Sequence, residues 1–458
     1  MKSITCFKAY DLRGRIPDEL NEDVAYRVAR GYAQFLSPRR IVVGRDIRLS
    51  SAALTDAVCR GLTDSGVDVY DIGITGTEGV YFATFDGGYD GGIMITASHN
   101  PSDYNGMKFV RAQSRPISGD NGLVEIRGFA ERAEFPAPPR PGVRRATDIG
   151  AAYVAHLLSY VDPAKLKPLK IVVNAGNGGA GLVVDQLEPH LPLRFIKVHH
   201  EPDGHFPNGI PNPMLEENRA PTADAIRTHG ADFGIAWDGD FDRCFFFDEL
   251  GRFIEGYYIV GLLASALLRG EPPGARIVHD PRLTWNTIEI VEAAGGQSVL
   301  SKSGHAFIKE RMREVDGVYG GEMSAHHYFR RFAYCDSGMI PWLLVAQLLS
   351  ETGKPLSALV GERMRRFPVS GELNYRVPDA RAVIAACETR YAALALRLDR
   401  TDGISFEFDD WRFNLRTSNT EPLIRLNVEA RGSEATLRVR TEELLDLLKS
   451  HGAVAADH

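Results

Sequence analysis

Asp238, Asp240 and Asp242 stand at alternate positions in the segment DGDFDR. An extended or looped backbone turns side chains two apart to the same side, so these three carboxylates can converge. Crowded carboxylates repel unless a cation neutralises them. An all-oxygen set suits Mg²⁺ or Mn²⁺ better than Zn²⁺. A solvated acidic turn is the plainer alternative. Against it, Phe233, Ile235 and Trp237 make an apolar strand into the loop, and Cys244–Phe247 make another out of it. An EF-hand does not fit. Arg243 stands where that loop needs Gly, and strands rather than helices flank it.

Four other loops carry polar groups. TASHNP, Thr96–Pro101, offers Ser98 as a nucleophile with His99 beside it, and Lys108 follows on or near the next strand. The segment is no G-x-S-x-G elbow, and alone it reads as a turn. RTSNTEP, Arg416–Pro422, gathers Arg416, Thr417, Ser418, Asn419 and Thr420, with Arg425 close behind. Such a turn suits a phosphate, although a plain hairpin turn is equally compatible. The run Gly320–His327 places Glu322, Ser324 and His326 where they could grip sugar hydroxyls, and His305 in KSGHAF could join them. Any single His there is more often a packing residue. Finally, Gly176–Gly181 matches G-x-G-x-x-G, with Glu201 further on. A dinucleotide site would leave every other loop unexplained, so a strand-to-helix packing turn is the better reading. No Walker A segment occurs.

These loops need elements to hold them. The chain has 458 residues, 44% of them hydrophobic, which predicts two to four domains. Short apolar runs repeatedly end in Gly-rich polar loops and then in helical periodicity: RIVVGRDIRLSS, GGIMITASHNP, KIVVNAGNGGAG, ADFGIAWDGDFDR, ARIVHDPRLTWN and GVYGGEMSAHH. The pattern predicts α/β units with ligands beyond the carboxyl ends of strands. One helix is expected over Ser50–Ser65, with Leu54, Ala57, Val58 and Leu62 on its buried face and Ser50 or Ser51 as N-cap. FPAPPRPG, Phe135–Gly142, reads as a linker. Further breaks are expected near Glu249–Gly256 and Arg366–Gly371. From residue 371 the order strand, helix, two-stranded hairpin, helix predicts a smaller α+β domain. In its hairpin Trp411, Phe413 and Leu415 alternate against Ile424, Leu426 and Val428.

Net charge is −7, from 53 basic and 60 acidic residues. That gives no electrostatic case for nucleic acid or an anionic membrane as partner. Five cysteines without metal-knuckle or C-x-x-C spacing argue against a disulfide framework or zinc ribbon. No apolar run approaches the ~20 residues of a membrane span. A soluble cytoplasmic protein is expected.

A serine, a three-carboxylate metal loop, a separate anion turn and a polyol-recognition loop together suggest phosphoryl transfer on a sugar, with one reacting and one anchoring phosphate. At YDLRG, GRDIRLS, TASHNP, DGDFDR, GEMSAHHYF and RTSNTEP, in that order along the whole chain, the sequence resembles the α-D-phosphohexomutase family. GEMSAHHYF and the run through FAYCDSGMIPW are most similar to its bacterial branch acting on mannose phosphates, some relatives of which also take glucose phosphates. Met323 stands where glucosamine-phosphate mutases carry Gln.

The resemblance implies a heart-shaped molecule around a central cleft. Three similar α/β domains with mixed sheets (1–145, 146–253 and 254–367) would be followed by an α+β domain (368–458). Ser98 would be a phosphoserine, binding Mg²⁺ together with Asp238, Asp240 and Asp242. Arg13, His99, Lys108 and Arg243 would surround the transferring phosphate, with Tyr10 nearby. Glu322 and Ser324 would take sugar hydroxyls, with His305 and His326 close by. Arg416, Ser418, Asn419, Thr420 and Arg425 would hold the other phosphate. The reaction implied converts mannose 1-phosphate to mannose 6-phosphate through a hexose 1,6-bisphosphate, which also serves as activator. GDP-mannose supply is the implied pathway, and a monomer or a dimer is compatible. The base is open: His99 is adjacent, and Lys108 would serve if Arg13 lowered its pKa. Arg282 departs from the Lys of many relatives. Two alternatives stay open. DGDFDR partly matches the D-x-D-x-[TV] of haloacid-dehalogenase-type phosphatases, with Asp238 as nucleophile. A non-catalytic sugar-phosphate sensor would keep Glu322 and Arg416 without turnover.

Overall fold

The computed structural model describes residues 3–417 and 423–456. The predicted sites Ser418, Asn419 and Thr420 lie outside them. The chain divides into two compact units, Met1–Phe253 with His326–Gly353, and Ile254–Ala325 with Lys354–His458. Among the described residues no helix is long and apolar enough to cross a membrane.

The first unit begins with a mixed sheet. Strands Gly91–Ile95, Arg40–Arg45, Asp68–Ile74 and Arg144–Ala146 run parallel, and Tyr104–Arg111 and Leu12–Arg15 add antiparallel at one side. Ile41, Val42, Val43, Ile93, Met94 and Ile95 are all fully buried. Helices cover both faces, so these strands are continuous apolar runs rather than alternating ones. The helix Glu22–Leu36 starts where Asn21 Oδ1 accepts from the Val24 amide at 3.0 Å. The expected helix is observed over Ser51–Thr63 with Leu54, Ala57, Val58 and Leu62 buried. Its cap differs from expectation. Ser50 occupies the cap position in a helical conformation, and its Oγ accepts from Asn105 Nδ2 instead, at 2.8 Å.

A second mixed sheet, in the same unit, orders Cys244–Phe247, Phe233–Trp237, Lys170–Asn174 and Arg194–Val198. The first pair is antiparallel and the others parallel. DGDFDR is the turn of that antiparallel pair. The antiparallel strands His327–Phe329 and Cys335–Asp336 also belong to this unit, with the helix Ile340–Thr352 after them.

In the second unit, Arg276–His279 pairs in parallel with Gln297–Leu300 and Tyr319–Gly321. The C-terminal sheet is antiparallel, in the order Arg397–Asp399, Ile404–Glu407, Trp411–Thr417, Leu423–Ala430, Val369–Arg376 and Val454–Ala455. Trp411, Phe413, Leu415, Ile424, Leu426 and Val428 join one apolar cluster beneath the helices Ala380–Tyr391 and Glu434–Ser450. The opposite face is buried too, but polar: Arg412, Asn414, Asn427 and Glu429. The architecture is thus three α/β domains with mixed sheets and a C-terminal α+β domain.

Candidate active site

Ser98 lies three residues past the strand Gly91–Ile95, beyond the carboxyl end of a strand paired on both sides. It is buried and adopts a left-handed φ of 49°, unusual for a residue with a Cβ. One side chain braces several points of the turn. Arg48 is buried and donates to four carbonyls of the loop: Ser98 at 2.9 Å, Asn100 at 2.6 Å, Pro101 at 2.7 Å and Tyr104 at 2.9 Å. Only a planar guanidinium fork reaches so many acceptors together.

The DGDFDR turn meets this loop. Ser98 Oγ donates to Asp238 Oδ2 at 2.7 Å and lies 3.0 Å from His99 Nδ1. Gly239 is required by this approach, since a Cβ there would stand 2.4 Å from the Ser98 carbonyl oxygen. Arg243 donates to Asp238 Oδ2 from Nε at 3.0 Å and from Nη2 at 2.8 Å, and Nη2 also meets His99 Nδ1 at 2.5 Å. A guanidinium is always a donor, so His99 Nδ1 accepts and the ring proton sits on Nε2. Burial, Arg243 and Arg13 hold the His99 pKa well below the usual imidazole range. Arg13 pairs with Asp11 at 2.8 Å and donates to Asn100 Oδ1. Tyr10 is half-buried two residues before the strand that carries Arg13.

The acidic group gathers as expected. Candidate ligand atoms of Asp238, Asp240 and Asp242 lie within 4.8 Å of one another, and all three residues are buried. Lys108 donates to Asp240 Oδ2 at 2.7 Å and to Asp242 Oδ2 at 2.6 Å. Thr77 also donates to Asp240 Oδ2. Asp240 Oδ1 and Asp242 Oδ1 are buried without a hydrogen-bond partner among the described residues. Burial, with Asp240 and Asp238 nearby, pushes Asp242 up to about 6 despite Lys108. Excess negative charge and spare oxygen donors are what a hard cation relieves, so these residues fit a metal. The condition for Lys108 as base is not met. Burial lowers its pKa, but Asp240 and Asp242 more than offset that, and the net shift is upward. The aspartyl-phosphate alternative also loses ground, because Asp238 Oδ2 already accepts from Ser98 and Arg243.

His326 falls in the first unit. Its Nδ1 is 3.0 Å from buried Asp336 and 3.9 Å from Asp242 Oδ1. Glu322, Ser324 and His305 fall in the second unit. In the second unit Arg282 is the hub. It is buried and donates to Asp280 Oδ1 at 2.9 Å, Asp280 Oδ2 at 3.0 Å, Ser324 Oγ at 3.2 Å, Glu322 Oε1 at 3.4 Å and Glu372 Oε2 at 3.3 Å. A lysine ammonium could not serve all of these. Glu322 Oε1 also accepts from the Gly304 amide at 2.8 Å, directly before His305. Arg416 and Arg425 both donate to Glu372, at 3.0 and 3.1 Å. Burial raises the Glu372 pKa, but Arg416, Arg282 and Arg425 more than offset this and hold it at about 2.

Sequence reasoning missed Arg48, Thr77, Asp280, Asp336 and Glu372. Arg48 stood within GRDIRLS, but nothing in its spacing pointed at Ser98. The G-x-G-x-x-G segment is a packing turn. A Cβ at Gly181 would lie 2.3 Å from the His200 carbonyl, and one at Gly178 3.0 Å from the Gly239 carbonyl.

Comparison with known proteins gives the architecture a family. Four models described as phosphoglucomutase/phosphomannomutase match in sequence: alpha/beta/alpha domain I over residues 5–136, domain II over 151–251, domain III over 255–367 and the C-terminal domain over 372–446. An Escherichia coli phosphomannomutase is 60% identical over 457 residues, covering 98% of this chain and 100% of that protein. A protein of Xanthomonas campestris pv. campestris described as "Phosphohexose mutases" is 61% identical over 447 residues, covering 98% and 100%. A crystal structure of a Burkholderia thailandensis phosphoglucomutase/phosphomannomutase family protein superposes with a TM-score of 0.89 at 31% identity, covering 100% of this chain and 99% of that one. The chain belongs to the phosphoglucomutase/phosphomannomutase family.

Proposed function

We propose that this chain is a phosphomannomutase, interconverting mannose 1-phosphate and mannose 6-phosphate through a phosphoserine and a hexose 1,6-bisphosphate, with glucose phosphates as further substrates. Membership of a phosphotransferring isomerase family supports the reaction class. The observation that carries the reading is the buried Ser98 hydroxyl 2.7 Å from Asp238, the first acid of the metal loop.

In the forward step the free hydroxyl oxygen of the sugar phosphate attacks phosphorus on Ser98. The phosphorus–Oγ bond breaks, and the hydroxyl proton ends, in balance, on Ser98 Oγ. His99 Nδ1, 3.0 Å from Oγ, is placed to carry that proton once Arg243 turns from it to the phosphoryl oxygens. Lys108 remains an ammonium and contributes charge. Arg13 and Arg243 stabilise the transferring phosphoryl oxygens. Asp238, Asp240 and Asp242 would hold Mg²⁺ with the Ser98 phosphate; bound there, the cation supplies the charge neutralisation that phosphoryl transfer needs. Glu322, Ser324 and His305 would take sugar hydroxyls, and Arg416 and Arg425 the non-reacting phosphate, joined by Ser418, Asn419 and Thr420. Tyr10 and His326 complete the proposed substrate contacts. The proposed domain division is 1–145, 146–253, 254–367 and 368–458.

Intact-mass measurement after incubation with a hexose 1,6-bisphosphate tests the reading. One added phosphoryl group is expected in the native chain and none in Ser98→Ala. A label that persists in Ser98→Ala and vanishes in Asp238→Asn would establish the phosphatase instead.

A further inference from the structure

Arg416 and Arg425 face each other directly across the C-terminal hairpin. Like charges opposed on neighbouring strands repel. Glu372 resolves the conflict from the next strand. Its two oxygens are divided between the guanidiniums, Oε2 to Arg416 at 3.0 Å and Oε1 to Arg425 at 3.1 Å. The carboxylate is only 6% exposed in its side chain. A register shift between Val369 and Glu372, with Gly371 at φ 69°, re-aims the strand where Glu372 leaves it. Arg282 reaches the same Oε2 but is already matched by both oxygens of Asp280. Among the described residues Glu372 is therefore a resident anion of the arginine pair, presenting two oxygens much as a phosphate would.

We propose that Glu372 is a built-in competitor for the substrate's non-reacting phosphate, lowering the hold of Arg416 and Arg425 enough for a bisphosphate intermediate to release and turn. The turning step rests on the mutase reading; the competition does not. A rigid pair of unopposed guanidiniums would grip either phosphate of the intermediate, and turnover would stall at reorientation. With Glu372 present, the arginines are oriented before the ligand arrives and have a partner to return to when it leaves.

Glu372→Gln removes the charge and keeps the shape. Inorganic phosphate, titrated calorimetrically into the full chain, is expected to bind about tenfold more tightly to this variant. With mannose 1-phosphate, both KM and kcat are expected to fall several-fold. Glu372→Asp, which keeps the charge, should stay nearer the native values, and thermal unfolding checks that both variants fold. Damaged packing would not tighten phosphate binding. Unchanged or weaker phosphate binding in Glu372→Gln would overturn the proposal. Absence of turnover in the native chain would instead count against the mutase reading, and the phosphate titration would still decide the role of Glu372.

Discussion

Ser98 Oγ and Asp238 Oδ2, 140 positions apart in the chain, meet at 2.7 Å with both residues buried. The contact places the hydroxyl that would carry phosphate against the first acid of the cation loop. Ser98→Ala is expected to leave thermal stability nearly unchanged, since it removes one hydroxyl. Mutase activity should fall at least about 10³-fold, because the nucleophile itself is lost. A discontinuous assay of mannose 1-phosphate consumption checks this; retention of a tenth of native turnover would exclude Ser98 as the phosphate carrier.

Lys108 is the cation that Asp240 and Asp242 share. Removing one partner of a buried ionic group leaves uncompensated charge and costs about 3–5 kcal/mol. Lys108→Met should therefore melt several degrees lower in chelator. Mg²⁺ should raise its melting temperature by more than it raises the native one, since the metal then supplies the missing charge. Equal Mg²⁺ shifts in the two proteins would contradict this account of the site.

Arg48 touches four carbonyls around Ser98 and is named in none of the proposed chemical steps. Arg48→Ala should lower kcat about 10²-fold through misplacement of the serine, with a smaller change in KM. Guanidinium ion at millimolar concentration should restore part of the lost kcat. A kcat within twofold of native would show that the turn holds itself.

Glu78 gives the pH prediction. It is fully buried, with Oε2 accepting from the amides of Gly338 at 2.6 Å and Met339 at 3.2 Å, and Tyr153 donating to Oε1. Burial outweighs these bonds and pushes its pKa up from 4.5 to about 8. Between those values the folded chain keeps a proton that the unfolded chain has released. Stability therefore falls as pH rises from 4.5 to 8, by up to about 5 kcal/mol from this group, and is flat beyond. Glu78→Gln should lose much of that slope, read as denaturation midpoints at pH 6 and pH 8. Parallel slopes would place the charge elsewhere.

The sequence was legible where chemistry and pattern coincide. DGDFDR announced itself because alternating acids between apolar strands have few other uses. Lys108 was found because it follows TASHNP on the next strand. Arg48, Thr77 and Glu372 were not, since each acts on partners remote in sequence and carries no local signature. The carboxylate partners of Lys108 were hidden for the same reason. Proximity to Arg13 suggested a lowered pKa, whereas the fold brings two carboxylates closer. In the C-terminal domain the main hairpin was legible from its alternation. The short strands Arg397–Asp399 and Val454–Ala455 were not, because two or three residues give no period.

Phosphorus NMR of mannose 1-phosphate with the protein, Mg²⁺ and a trace of hexose 1,6-bisphosphate tests the central claim most directly. The account predicts growth of a 6-phosphate resonance at the expense of the 1-phosphate, with no inorganic phosphate. Inorganic phosphate as the sole product would contradict it and identify a phosphatase.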